Sequence, residues 1–127
     1  MKAIKIDVEN QAVYQIEIGK DYREIYTAIG NNCTCFAVPV NFDNGDCMYV
    51  DDEALLRDDI KGGFTMPDWV TPIIGNAIIL GTDEDGESVD CMYDVHEIVP
   101  LVRFIDQQRC LDHRDDSLSK GPTIISF

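Results

Sequence analysis

Gly75-Asn76-Ala77-Ile78-Ile79-Leu80-Gly81-Thr82-Asp83-Glu84-Asp85-Gly86-Glu87 is the stretch that decides how this chain is read. Residues 77–80 are apolar without alternation, the pattern of a strand covered on both faces near the centre of a sheet. Thr82 to Gly86 makes an acidic turn, and residues 87–91 return as a hairpin partner.

Two further hairpins lie upstream. In residues 1–8, Ile4, Ile6 and Val8 alternate with Lys5 and Asp7, and residues 12–18 alternate again after a turn at Glu9-Asn10-Gln11. Asn44-Gly45, between residues 35–42 and 47–50, carries the signature of a two-residue type I′ turn. Pro39 confines the first of those strands to a sheet edge or a bulge.

Asp21, with Glu24 three residues on, starts a helix whose apolar face is Tyr22, Ile25, Tyr26 and Ile29; Gly30-Asn31 ends it. Asp94 and Glu97 repeat the same spacing before a second helix, with Ile98, Leu101, Val102 and Ile105 as its buried face and Pro100 in its first turn. The acidic residues 51–60 read as a short helix and residues 64–72 as irregular. The expectation is an α+β domain: a largely antiparallel sheet of three hairpins, two main helices and one short helix. Residues 1–110 form that single domain. Residues 111–127 are a C-terminal extension, loop as far as Lys120 and then an edge strand or a segment packed on a partner.

Charge is the second informative feature. Residues 43–97 hold 15 acidic side chains against Arg57 and Lys61, which accounts for −13 of the formal −14. The rest of the chain is close to neutral. Crowded like charges oppose compaction, so the field either serves a function or is a solvated surface left by drift. Such acidity argues against direct contact with nucleic acid or an anionic membrane, since phosphates are held by Lys and Arg. A hydrophobic share of 45% is too high for a disordered acidic tail. No apolar run approaches the roughly 18–20 residues of a membrane span. The N-terminal residues lack the apolar core of a secretory leader, and the expected location is the cytoplasm.

Cys33, Cys35, Cys47, Cys91 and Cys110 are an odd set that reads as reduced thiols. The Cys33-Thr34-Cys35 pair has no second tight pair to complete a zinc site. Asp83-Glu84-Asp85-Gly86 resembles a calcium loop at first glance, but the glycine comes at position 4 rather than 6, so no metal is expected. The carboxylates of Asp51-Asp52-Glu53 follow a strand, a place where acids can hold Mg²⁺, but a nuclease or phosphotransferase site usually adds a Lys, a His or further aligned acids, and the only nearby bases are Arg57 and Lys61. His96 and His113 have no nucleophile at a recognisable spacing, and no glycine-rich loop matches a phosphate cradle. No enzyme and no cofactor are expected.

Three segments together suggest a relationship. Met48-Tyr49-Val50-Asp51-Asp52-Glu53-Ala54-Leu55-Leu56, Pro72-Ile73-Ile74-Gly75-Asn76-Ala77-Ile78-Ile79-Leu80-Gly81 and Asp83 to Glu87 resemble an uncharacterised family of small phage, plasmid and conjugative-element proteins, Domain of unknown function 3846. The resemblance covers about residues 1–105. It implies no catalytic residues. It implies a mobile-element setting, in which small acidic proteins accompany anti-restriction genes.

Two functional expectations follow. The first is a non-catalytic inhibitor of a host defence protein of the restriction or CRISPR kind, acting by nucleic-acid mimicry. It would meet a basic, nucleic-acid-binding host protein through Asp51, Asp52, Glu53, Asp58, Asp59, Asp83, Glu84, Asp85 and Glu87. The second is a small-molecule binder that sequesters a nucleotide immune signal in a pocket of Tyr49, Phe64, Trp69 and Asn76. Self-association as a homodimer is compatible with either.

Overall fold

In the computed structural model the described residues are 1–30, 36–51, 54, 60–67 and 72–112, the side chains of 36–39 excepted. The chain is α+β, as its pattern predicts. Strands β1 (Lys2–Asp7) and β2 (Ala12–Glu17) lead to helix α1 (Tyr22–Ile29), then to β3 (Phe36–Asn41) and β4 (Cys47–Asp51). Short strands β5 (Gly63–Thr65) and β6 (Ile73–Ile74) precede β7 (Ala77–Thr82) and β8 (Ser88–Val89). Helix α2 (Val95–Ile98), a 3₁₀ turn (Val99–Leu101) and β9 (Arg103–Ile105) follow, and residues 107–112 are helical again.

The three expected hairpins join one antiparallel sheet in the order β2-β1-β7-β4-β3, with β8 beside the end of β7. β7 is central, and its unbroken apolar run has a physical cause. Ala77 and Ile79 face a core with Ile4, Ile6, Val8, Met48, Val50 and Phe64, whereas Ile78 and Leu80 face Ala3 and α1 residues Ile25 and Ile29. Both faces are covered, so alternation gives the strand no advantage.

Four expectations need correction. The Asn44-Gly45 hairpin is not type I′: that turn needs positive φ at both central residues, and only Gly45 has it, at +96°. Gly45 N–H donates to Phe42 O and Phe42 N–H to Asp46 O, which makes a three-residue loop with glycine in the left-handed position. Glu24 does not complete a capping box; Asp21 accepts from Arg23 N–H, while the Glu24 carboxylate lies over Gly19. The second helix stops after one turn. Pro100 sits at the start of the 3₁₀ turn, the backbone is extended by Val102, and residues 103–105 become β9. Ile98 is therefore buried in the first core, while Ile105 packs with Ile60, Ile74 and Cys110 on the far side of a small sheet ordered β6-β5-β9. Residues 111 and 112, expected as loop, close the last helical segment.

Pro39 behaves as read: β3 is an edge strand whose register shifts between Ala37 and Val40. Most of the short-helix expectation, and the extension from residue 113, lie outside the described residues.

Candidate functional site: an acidic end of the sheet

β4 and β7 run antiparallel with Cys47 opposite Leu80, so the loop entering β4 and the loop leaving β7 sit side by side. The two loops are built alike. Asp83 N–H donates to Glu87 O and Gly86 N–H to Asp83 O, with Gly86 at φ +82°, repeating the geometry of Phe42 to Asp46. Their neighbourhood is sealed by Cys47 Sγ, 3.2 Å from Thr82 Oγ1.

Asp43, Asp83, Glu84, Asp85 and Glu87 are all exposed at this end. None of them forms an ion pair with another described residue. They are not equivalent. Asp83 Oδ1 accepts the backbone N–H groups of Asp85 and Glu87, both at 2.9 Å, so it holds the loop shape. The carboxylates of Asp43, Glu84, Asp85 and Glu87 carry no such internal duty and face water.

Several other acids of the −13 segment also serve the backbone. Asp46 is fully buried: its carboxylate accepts Met92 N–H (2.9 and 3.1 Å) and Tyr93 N–H (3.0 Å) and ties the start of α2 to the first acidic loop. Asp90 Oδ1 accepts Lys2 N–H at 2.8 Å. Asp94 caps α2 through His96 N–H, and Glu97 returns the reciprocal bond to Asp94 N–H, the capping box that the spacing predicts. Sequence reasoning missed Asp46 because a carboxylate beside Asn-Gly looks like an exposed turn residue; only the packing of residues 92 and 93 over it removes the water.

Asp51 lies elsewhere. It ends β4, where Val50 pairs with Ala77 at the start of β7, and it is 7% exposed. At roughly 3.3 Å per residue, the length of β7 puts it about 20 Å from the paired loops. Asp52, Glu53, Asp58 and Asp59 lie outside the described residues.

Among the described residues of the expected pocket, Tyr49 and Phe64 are not brought together. Phe64 is fully buried in the core on one face of the sheet, and Tyr49 packs with the cluster on the other. The cause is strand alternation: Met48 and Val50 take the Phe64 side, so Tyr49 points away from it. Asn76 braces the fold instead, accepting Val8 N–H on Oδ1 and donating Nδ2 to Ile29 O, both at 2.9 Å. Trp69 lies outside the described residues. Tyr49 does line an open groove of about 440 Å³ with Lys20, Tyr22, Ile25, Glu87 and Ser88, its hydroxyl 3.2 Å from Ser88 Oγ.

Burial pushes the Cys91 thiol up, with Asp46 and Asp90 adding to the effect and Lys2 opposing it. Burial likewise raises Cys110, to about 11. Neither is a thiolate at neutral pH. Among the described residues no group of three or more His, Cys, Asp or Glu side chains is placed to hold a metal ion. Among the same residues no helix is long and apolar enough to cross a membrane.

Fold and surface together define a small α+β sheet protein in which some of the described acids hold backbone N–H groups and others form an exposed cluster on two adjacent loops. The chain belongs to the family described as Domain of unknown function (DUF3846), which matches residues 1–99 and so ends before β9. No curated protein and no solved structure matches it.

Proposed function

We propose that this chain is a non-catalytic binding protein of a phage or related mobile element. It presents the paired acidic loops to the basic surface of a nucleic-acid-handling defence protein in the host cytoplasm. The observation that carries this reading is the cluster of Asp43, Glu84, Asp85 and Glu87, exposed on adjacent loops with no ion pair to any described residue.

Duplex DNA presents about one charge per 1.7 Å of axis, so a compact set of carboxylates stands in for a short length of backbone. Lysines and arginines built to hold phosphate would meet it, with fast, steered association that weakens as salt rises. The rigid loop geometry supports the role, because Asp83 and the two glycines hold the acidic side chains outward at little entropic cost on binding. Asp51, near the other end of β4 and 7% exposed, lies outside this patch.

The test is a pull-down from host lysate with the tagged chain, eluted by a salt step and identified by mass spectrometry. A nucleic-acid-binding protein released at moderate salt is the expected capture. The triple change Glu84→Lys, Asp85→Lys, Glu87→Lys, which leaves the structural Asp83 in place, is expected to abolish that capture. Glu9→Lys, at the β1–β2 turn, is expected to leave it unchanged. Retention of the partner by the triple variant refutes the reading.

A further inference from the structure

Among the described residues the large sheet has two edges, and they are treated differently. β3 carries the register shift and Pro39, devices that discourage further pairing. β2 has neither: it pairs with β1 without a break from Lys2↔Glu17 to Asp7↔Ala12, contains no proline, and has Glu17 as its one charge.

The groups that β2 turns outward follow from the ladder. Met1 N and Ile18 O bond, and Ile18 N–H returns to Met1 O at 3.0 Å, so Met1 and Ile18 form a hydrogen-bonded pair. Bonded and non-bonded pairs alternate along an antiparallel ladder. Ile16, Tyr14 and Ala12 therefore bond to β1, and the N–H and C=O of Val13, Gln15 and Glu17 point away from it. The same parity turns Val8 N–H toward β7, where Asn76 accepts it. Gln15 and Glu17 are exposed, as is Tyr14 at 38%.

We propose that the chain self-associates through β2, pairing antiparallel with β2 of a second copy about a two-fold axis at Gln15, so that the two large sheets become one. This register places Gln15 opposite Gln15 and each Glu17 opposite the other copy's Val13. Each of these three residues donates and accepts across the axis. Tyr14 and Ile16, both on the α1 face, then meet across the two strands as an aromatic–β-branched pair. An axis at Glu17 would oppose like charges, which disfavours that register. A second copy is the fitting occupant because residues 1–30 hold five acids and four bases. Two strongly acidic chains repel least where they are nearly neutral.

The experiment is sedimentation velocity on the full chain over a roughly hundredfold concentration range. A dimer populated at the upper concentrations is the expected result; a monomer throughout overturns the proposal. Gln15→Pro removes an outward N–H that β1 does not use, so the protomer keeps its far-ultraviolet circular dichroism while the dissociation constant rises about tenfold or more. Gln15→Lys places two like-charged side chains on Cα atoms about 5.5 Å apart at the axis, raises the dissociation constant similarly, and is relieved by salt. Should the proline variant lose its fold, the lysine variant decides. A dimer as tight as the wild type in Gln15→Lys overturns the proposal. Gln15 is not among the acidic loop residues, so partner capture and self-association fail independently.

Discussion

Replacing Asp46 is expected to be among the most damaging single changes in the acidic segment, although the residue resembles its dispensable neighbours in sequence. Its side chain is 0% exposed, and its two oxygens take the backbone N–H groups of Met92 and Tyr93 at 2.9 to 3.1 Å. Bonds to a charged acceptor contribute about 1.5–3 kcal/mol each. Asp46→Ala removes both acceptors and strands two partly buried N–H groups, so the expected loss is about 3–5 kcal/mol. For a domain of this size a loss of 1 kcal/mol lowers Tm by about 4 °C, which predicts a fall of about 12–20 °C. Asp46→Asn keeps the shape but turns one acceptor into a donor, and about half the loss is expected. Asp43→Ala, three residues away and exposed, should stay within about 0.5 kcal/mol of wild type. Urea denaturation followed by circular dichroism reads all three, with the midpoint moving at constant slope. If Asp46→Ala costs no more than Asp43→Ala, the buried-acceptor argument is wrong.

Three more outcomes are expected. Asn76→Ala breaks the bonds to Val8 N–H and Ile29 O and should cost about 1–3 kcal/mol by thermal melt; an unchanged Tm would show that the brace is idle. A Cβ on Gly81 would fall 2.3 Å from the Asp90 carbonyl, so Gly81→Ala should displace β8, cost about 1–3 kcal/mol, and speed amide exchange at Val89. Burial raises the Asp7 carboxyl, but hydrogen bonds from Asn10 and Tyr14 and the charge of Lys5 outweigh it and hold it below its ordinary 3.8. The stability this adds is present above pH 3.8 and is lost as pH falls through the still lower folded value, so the melts of wild type and Asp7→Asn should differ at neutral pH and converge in acid.

Much of the architecture was legible because it is written in local periodicity. The apolar run at 77–80, the alternation in β1 and β2, the Asp94–Glu97 capping box and the proline in β3 each act over a few residues, and each has its expected place. Helix 2 was overextended because Ile98, Leu101, Val102 and Ile105 satisfy helical spacing, while the competing fate of residues 103–105 depends on β5, some forty positions away. The type I′ reading of Asn44-Gly45 failed for a similar reason: Asp46, drawn inward by residues 92 and 93, belongs to the loop closure.

The sequence by itself determined the fold class, the central position of β7 and the concentration of charge between residues 43 and 97, since composition and periodicity are properties of the chain alone. Only the tertiary structure decided what that charge does. Antiparallel pairing of β4 with β7 brought Asp43 beside Glu84, Asp85 and Glu87 and carried Asp51 to the opposite end; burial and hydrogen bonding turned Asp46 and Asp90 into backbone acceptors. A carboxylate's role is set by whether water or an N–H group faces it, and that is settled by residues far away in sequence.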